Sequence, residues 1–218
     1  MNKSNLKEGV KFLHYGYICE VFLMGLAFIM GILDIIFGEI AIFTGIMSII
    51  ILLATIAIFV LKIIGVIKAR NENTYLKYAF YVFIGVVAFS VISMILNMSI
   101  DSRVLHGILA IITGIGEVLF LYFLIEGIGN VFKTLDNDPM VEYAKKTLYI
   151  VIGFAGLAFL LNAVSSFLPY GTALLIIDVI ATVLQAVAVI FMYLLTLKAL
   201  ENLNGVEDAT PASESEAE

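Results

Sequence analysis

An apolar stretch of the chain, GEVLFLYFLIEG, contains two glutamates. Glu117 and Glu126 lie nine positions apart. At about 100° and about 1.5 Å per residue, this spacing places them on opposite faces of a helix and about 13 Å apart along its axis. Two carboxylates that share general acid–base work must flank one site. The spacing therefore excludes a catalytic pair and indicates a separate role for each glutamate.

Glu117 is a candidate functional group, because an ionised carboxylate among apolar side chains is costly unless it is paired, solvated or protonated. Thr113 lies one helical turn earlier on the same face. On a second apolar stretch, Asp178 and Gln185 lie seven positions apart and also share a face. We predict that these four side chains face one interior, with Glu117 as the titrating or cation-binding group. A protonated, hydrogen-bonded structural role for Glu117 and Asp178 carries equal weight.

Lys62 and Glu126 form a second candidate group. Glu126 lies in an apolar stretch and Lys62 directly follows one, and both are towards the end at which most of the lysines are found. We predict that they lie at similar depth and form an ion pair at the inner end of the same polar seam. The alternative is that both long side chains reach the membrane surface unaided.

Other groups that carry chemistry are few. The chain has one cysteine, Cys19, and two histidines, His14 and His106. The two histidines fall near opposite faces of the predicted membrane region, where they cannot share a metal ion. The sequence has no motif for phosphate binding, a zinc protease, a redox dithiol or a nucleophilic serine. We therefore expect no metal site, no cofactor, no nucleic-acid partner and no enzymatic activity.

The overall composition explains why these polar residues have apolar neighbours. Of the 218 residues, 62% are hydrophobic and 14% are charged, and the mean hydropathy is +1.09. Soluble domains are about half apolar and about a quarter charged. A soluble fold of this size could not bury so much apolar surface. The chain is therefore expected to be an integral membrane protein whose surroundings are a lipid bilayer.

Six stretches are long enough to cross a bilayer, which needs about 20 apolar residues of helix. They are Tyr17–Phe37, Ile40–Leu61, Ala79–Ile100, Gly107–Phe132, Leu148–Leu168 and Thr172–Leu197. Short alternating strands are not seen, so helices are the expected spanning form. Tight turns with glycine or proline alternate with longer polar loops. This pattern predicts an all-α integral membrane protein with six transmembrane helices arranged as three helical hairpins.

The three hairpins show a faint internal similarity. Similar segments precede the first, third and fifth stretches. In each of them a lysine lies close to aromatic residues, as in Lys11-Phe12 and Lys77-Tyr78. A threefold repeat accounts for this similarity. The membrane interface accounts for it equally well, because it selects lysine and aromatic residues at the start of any helix.

Lysine and arginine are distributed unequally between the two ends of the predicted helices. Eleven of the twelve lie on one side, and only Arg103 lies on the other. The side rich in these residues faces the cytoplasm. Both termini are therefore predicted to be cytoplasmic, in a protein of the cell membrane. Residues 1–203 form the predicted membrane domain. Residues 204–218 form an acidic tail that is predicted to be disordered.

Two functions are compatible with this pattern. The first is a small transporter or permease-type protein, in which a cation, proton or small solute moves along the inward polar seam formed by Glu117, Thr113, Asp178 and Gln185. The second is a non-catalytic membrane scaffold or accessory subunit that binds another membrane protein. In the second case the hydroxyl and amide side chains only hold the helices together, which is their commoner role in membranes.

Overall fold

The computed structural model describes residues 3–37, 41–100, 102–168 and 172–208, which are helical apart from short connections. The six helices are α1 (Lys3–Phe37), α2 (Ala41–Ala69), α3 (Thr74–Ser99), α4 (Arg103–Thr134), α5 (Asp138–Ser165) and α6 (Thr172–Asp208). These ranges contain no strand, so the all-α prediction is confirmed for the described residues.

Five helical segments are long and apolar enough to cross a membrane. They are Ile49–Ala69, Thr74–Leu96, Val104–Thr134, Asp138–Ser165 and Ile176–Gly205. The chain is therefore a multi-pass membrane protein whose apolar helices contact lipid. A crossing by α1 stays a prediction.

Both end helices extend beyond the apolar stretches that predict them. α1 begins at Lys3, fourteen positions before Tyr17. Its first turns continue as helix because Leu6, Val10 and Leu13 recur every three or four residues and are buried. α6 runs to Asp208, five residues into the tail predicted from residue 204, and residues 209–218 lie outside the described residues.

Two asparagines start α3 and α5 and also tie each of them to the helix that follows. The side-chain oxygen of Asn73 accepts from the backbone N–H of Leu76 (2.9 Å), and its amide nitrogen donates to the carbonyl of Gly127 in α4 (2.8 Å). Asn137 caps α5 through the N–H of Met140 (3.1 Å) and donates to the side-chain oxygen of Asn202 in α6 (2.9 Å). Each cap therefore satisfies a free backbone donor and positions a second helix at the same time.

Replacing Asn73 with alanine should lower the free energy of unfolding by about 1–2 kcal/mol, because both the cap and the bond to α4 are lost. Asn73→Asp retains the capping oxygen but not the donor, so it should cost about half as much. Thermal unfolding in detergent, followed by circular dichroism, measures both. Asn71→Ala, at an exposed position of the same loop, is the control, and an equal loss there would contradict the assignment.

The helices form a ring. Each helix packs against the next in the chain, and α6 packs against α1, so the ring closes. The contact between α2 and α3 is much slighter than the others. The first and last helices are joined by His14, whose ring stacks on Tyr193 with centroids 5.1 Å apart. Nδ1 of His14 also lies 3.2 Å from the hydroxyl of Thr196, and that hydroxyl donates to a carbonyl of its own helix.

α1 and α2 approach each other through two glycines. A Cβ placed on Gly65 would lie 2.7 Å from Cγ of Leu13 and 2.8 Å from the carbonyl oxygen of Gly9. A Cβ on Gly9 would lie 2.8 Å from the carbonyl oxygen of Gly65. Small residues let helix backbones come this close in a membrane, where packing rather than the hydrophobic effect drives association.

α4 uses glycines in the same way against both of its neighbours. The ring of Phe159 in α5 occupies the space where a Cβ of Gly114 would stand, and Leu76 in α3 does so at Gly127. These contacts fix α4 between α3 and α5.

The lysine-rich half of the ring is filled by side chains. The largest fully buried residues are Tyr17, Phe132, Leu6, Leu13, Leu76, Leu124, Ile125, Ile128, Met192, Leu195, Val66 and Val151. All of them lie in the first half of an odd-numbered helix or the second half of an even-numbered one. The core therefore closes one end of the bundle, and open space is left in the other half.

Candidate functional site

The half of the ring away from the lysines encloses a cavity of about 860 Å³, and all six helices line it. On α4 the lining runs from His106 to Leu121, which is about 22 Å of helix. The cavity therefore reaches from the middle of the bundle almost to the turn between α3 and α4. Cavities of this size hold small organic molecules in other proteins.

The deep end of the cavity carries three charged side chains, Glu20, Lys62 and Glu117, which we call the charged floor. Nζ of Lys62 lies 2.5 Å from Oε2 of Glu20, and the same ammonium lies 4.4 Å from the centre of the Tyr17 ring. Glu117 interacts electrostatically with both Lys62 and Glu20. The charged floor thus holds two carboxylates and one ammonium.

The predicted ion pair between Lys62 and Glu126 is corrected by this geometry. In the part of the chain that the structure describes, the carboxylate bound to Lys62 is that of Glu20 on α1. The reason is the packing order of the ring, since α2 lies directly against α1 at Gly16, where a Cβ would be 3.0 Å from Cγ of Lys62. Glu126 is half-buried on α4 and does not line the cavity.

Of the four other predicted site residues, three line the cavity and one does not. Thr113, Glu117 and Gln185 all line the cavity. Asp178 does not line it. It lies seven positions before Gln185, about 10 Å nearer the start of α6, beyond the level at which α6 faces the cavity. Any role of these residues in transport stays a prediction.

Three buried side-chain atoms have no hydrogen-bond partner among the described residues, and all three belong to the cavity wall. They are Oη of Tyr17, Oγ of Ser93 and Nε2 of His106. Tyr17 is 1% exposed and Ser93 is 8% exposed. An unpaired buried polar atom costs about 1–3 kcal/mol, so such atoms are rare. All three therefore lie in one region of the bundle, the wall of the cavity.

Sequence reasoning missed Glu20, Tyr17 and His106 as members of the site. For Glu20 a signal was present, because it lies inside the predicted span Tyr17–Phe37 and is an intramembrane acid by the same criterion as Glu117. For Tyr17 and His106 the sequence held no such signal. A tyrosine and a histidine near the ends of apolar stretches are typical of the membrane interface, and only the ring of helices brings them to one cavity.

The described side chains of the wall do not form any of the usual ligand sets of metal ions. In the ranges that the structure describes, no group of three or more histidine, cysteine, aspartate or glutamate side chains could hold a metal ion. The polar groups are instead spread along the cavity, with the charged floor at one end, His106 near the other, and apolar side chains such as Val86, Leu109 and Ala158 between them.

Comparison with protein-family models, with characterised proteins and with solved structures gives no match for this chain. The geometry and chemistry of the cavity are therefore the basis for a functional proposal.

Proposed function

We propose that the protein is a small transporter that carries a solute through the cavity, with Glu117 as the group that binds it. The observation that supports this most directly is the charged floor, since it lies at the bottom of a cavity large enough for a small molecule. Ionisable side chains within a membrane are costly, and those that face a water-filled space commonly mark solute and ion pathways. In this proposal the protein binds and moves its solute without chemical change.

The arrangement in the membrane is part of the same proposal. All six helices cross the cell membrane as three hairpins, both termini lie in the cytoplasm, and the cavity opens to the outside. The close packing within the pairs α1–α2, α3–α4 and α5–α6 supports the hairpins. The eleven lysines and arginines at the filled end support the orientation.

Transport requires a second conformation. The buried core of the lysine-rich half, including Leu124, Ile128 and Leu195, lies between the charged floor and the cytoplasmic end. A solute that has reached Glu117 cannot continue until this half separates. Alternating access to one fixed site is the usual solution in transporters, and it predicts that the same cavity wall faces each side of the membrane in turn.

Cysteine labelling tests this proposal. In a Cys19→Ala background, the thiol of Thr113→Cys should react with a membrane-impermeant maleimide applied from the outside. It should react more slowly when the reagent is applied from the cytoplasmic side, because the second conformation is less populated. Right-side-out and inside-out vesicles separate the two measurements.

The matched control is Val183→Cys in the same background. Val183 is 52% exposed but does not line the cavity, so its thiol should face lipid and stay unreactive, because only a hydrated thiolate reacts. Labelling of Thr113→Cys from one side only would contradict transport. It would favour the alternative, a non-catalytic scaffold or accessory subunit with a static cavity.

A further inference from the structure

We propose that the solute is a hydrophobic organic cation, whose positive charge lies at Glu117 and whose apolar body fills the cavity between the helices. This inference rests on the proposed function of the cavity as a solute site and names the chemical class of that solute. Four features of the cavity wall carry it.

The first feature is the charge of the floor. Glu20 and Glu117 contribute two negative charges, and Lys62 contributes one positive charge that is held by Glu20 at 2.5 Å. Among the described residues of the wall, these are the aspartate, glutamate, lysine and arginine side chains. One carboxylate is therefore left without a full counter-charge. Uncompensated charge within a membrane is unfavourable, so a single positive charge is the natural complement.

The second feature is the apolar wall. Most of the uncharged lining residues are aliphatic or aromatic, as at Val87, Leu121 and Val189. A small hydrated ion gains nothing from such a surface. A molecule with an apolar body gains the free energy of leaving water, which grows with the apolar area that it buries.

The third feature is a row of aromatic rings beside the floor. The ring of Phe83 lies between those of Phe59 and Phe120, with centroid distances of 5.6 Å and 5.0 Å. All three residues line the cavity. Aromatic faces attract cations, and they attract organic cations in particular because these are weakly hydrated. The same floor already shows this interaction, since Lys62 lies over the ring of Tyr17.

The fourth feature is the set of polar atoms without partners. Oη of Tyr17 is buried at the floor, and Nε2 of His106 lies towards the other end of the cavity. A bare inorganic cation would need about six oxygen ligands gathered at one point, and the polar atoms of this wall are separated along its length. The wall therefore fits an extended molecule with one charge better than a small ion.

Binding of two probe ions of the same size and opposite charge tests the inference. The purified full chain in detergent should bind tetraphenylphosphonium saturably, which equilibrium dialysis measures and a rise in the unfolding temperature reports. Tetraphenylborate should bind at least about tenfold more weakly, a difference of about 1.4 kcal/mol. Equal or tighter binding of the borate ion would overturn the proposal.

Two variants of the same helix locate the bound charge. Glu117→Gln should weaken binding of tetraphenylphosphonium by about tenfold or more. Glu126→Gln makes the same chemical change outside the cavity and should leave the affinity unchanged. Equal effects of the two variants would overturn the assignment. If Glu117→Gln does not fold, Glu117→Asp is the second variant, which preserves the charge and should bind tetraphenylphosphonium. The comparison of the two probe ions on the native chain then still tests the proposed solute class.

The outcome separates the solute class from the transport proposal. Thiol labelling from both sides of the membrane without binding of tetraphenylphosphonium would leave a transporter of some other solute. Binding of tetraphenylphosphonium with labelling from one side only would leave an organic-cation binding protein that does not transport.

Discussion

Replacing Lys62 with methionine should destabilise the protein by about 3 kcal/mol. Removal of one partner of a buried ion pair leaves an uncompensated charge, which costs about 3–5 kcal/mol. The lower value applies because the Lys62 and Glu20 side chains remain 14% and 22% exposed, so water reaches them. The loss has a second cause, since Glu20 and Glu117 then repel each other with no cation in the charged floor. Denaturant unfolding in mixed micelles measures the change.

Lys68→Met is the matched control on the same helix. Lys68 also pairs with a glutamate of α1, Glu8, but their side chains are 37% and 51% exposed. An exposed pair contributes at most about 1 kcal/mol, so this variant should be nearly neutral. The double variant with Glu20→Gln and Lys62→Met should recover much of the lost stability. A loss of stability at Lys68→Met as large as at Lys62→Met would contradict the claim that burial in the charged floor makes the Lys62 pair the stronger one.

Replacing Gly65 with leucine should lower the free energy of unfolding by about 3 kcal/mol or more. A Cβ at this position already lies 2.8 Å from the carbonyl oxygen of Gly9 and 2.9 Å from the backbone nitrogen of Leu13. Backbone atoms cannot move aside as a side chain can, so α1 and α2 must separate. The loss should appear as a lower unfolding temperature in detergent.

Gly85→Leu is the control for this substitution. Gly85 also lies within a membrane helix, but a Cβ there would meet nothing within 4 Å. The same added side chain should therefore be tolerated, and the higher helix propensity of leucine acts in its favour. Equal destabilisation at both positions would mean that the loss at Gly65 does not come from the contact with α1.

The sequence is sufficient to predict that the chain is helical and that it is a membrane protein. The apolar stretches are long, and the cost of unpaired backbone groups in lipid leaves few alternatives to a helix. The pattern along one helix also predicts that Thr113 and Glu117 face the same way, and both line the cavity. Such predictions depend only on residues of a single helix, whose geometry is fixed.

Predictions about neighbouring helices are harder, because a stripe of polar residues does not say which helix it faces. Lys62 has two acids at comparable depth, Glu20 and Glu126, and the order of helices in the ring decides between them. Asp178 shares a face with Gln185 but lies at another level. The sequence pattern predicts the direction in which a side chain points more reliably than its level along the bundle. The level at which a cavity begins depends on side chains from all six helices.

The hypothesis of an internal repeat gains support from two details of packing. Leu13 packs over Gly65 in the first helix pair, and Leu76 packs over Gly127 in the second, with the leucine Cγ 2.7 Å from the glycine Cβ position in both. Asn73 and Asn137 cap α3 and α5 and reach across to the next helix in the same manner. Each detail relates two of the three pairs, so the threefold repeat stays a prediction.

The slight contact between α2 and α3 has a mechanical consequence. Every other junction of the ring is held by close packing, and rigid packing of that kind resists deformation. When the bundle fluctuates, α2 and α3 should therefore separate before any other pair of helices. The glycine contacts of α1 with α2 and of α4 with its neighbours should stay intact. Because α2 and α3 are apolar helices of a membrane protein, we expect the thickness and fluidity of the bilayer to influence how often this contact opens.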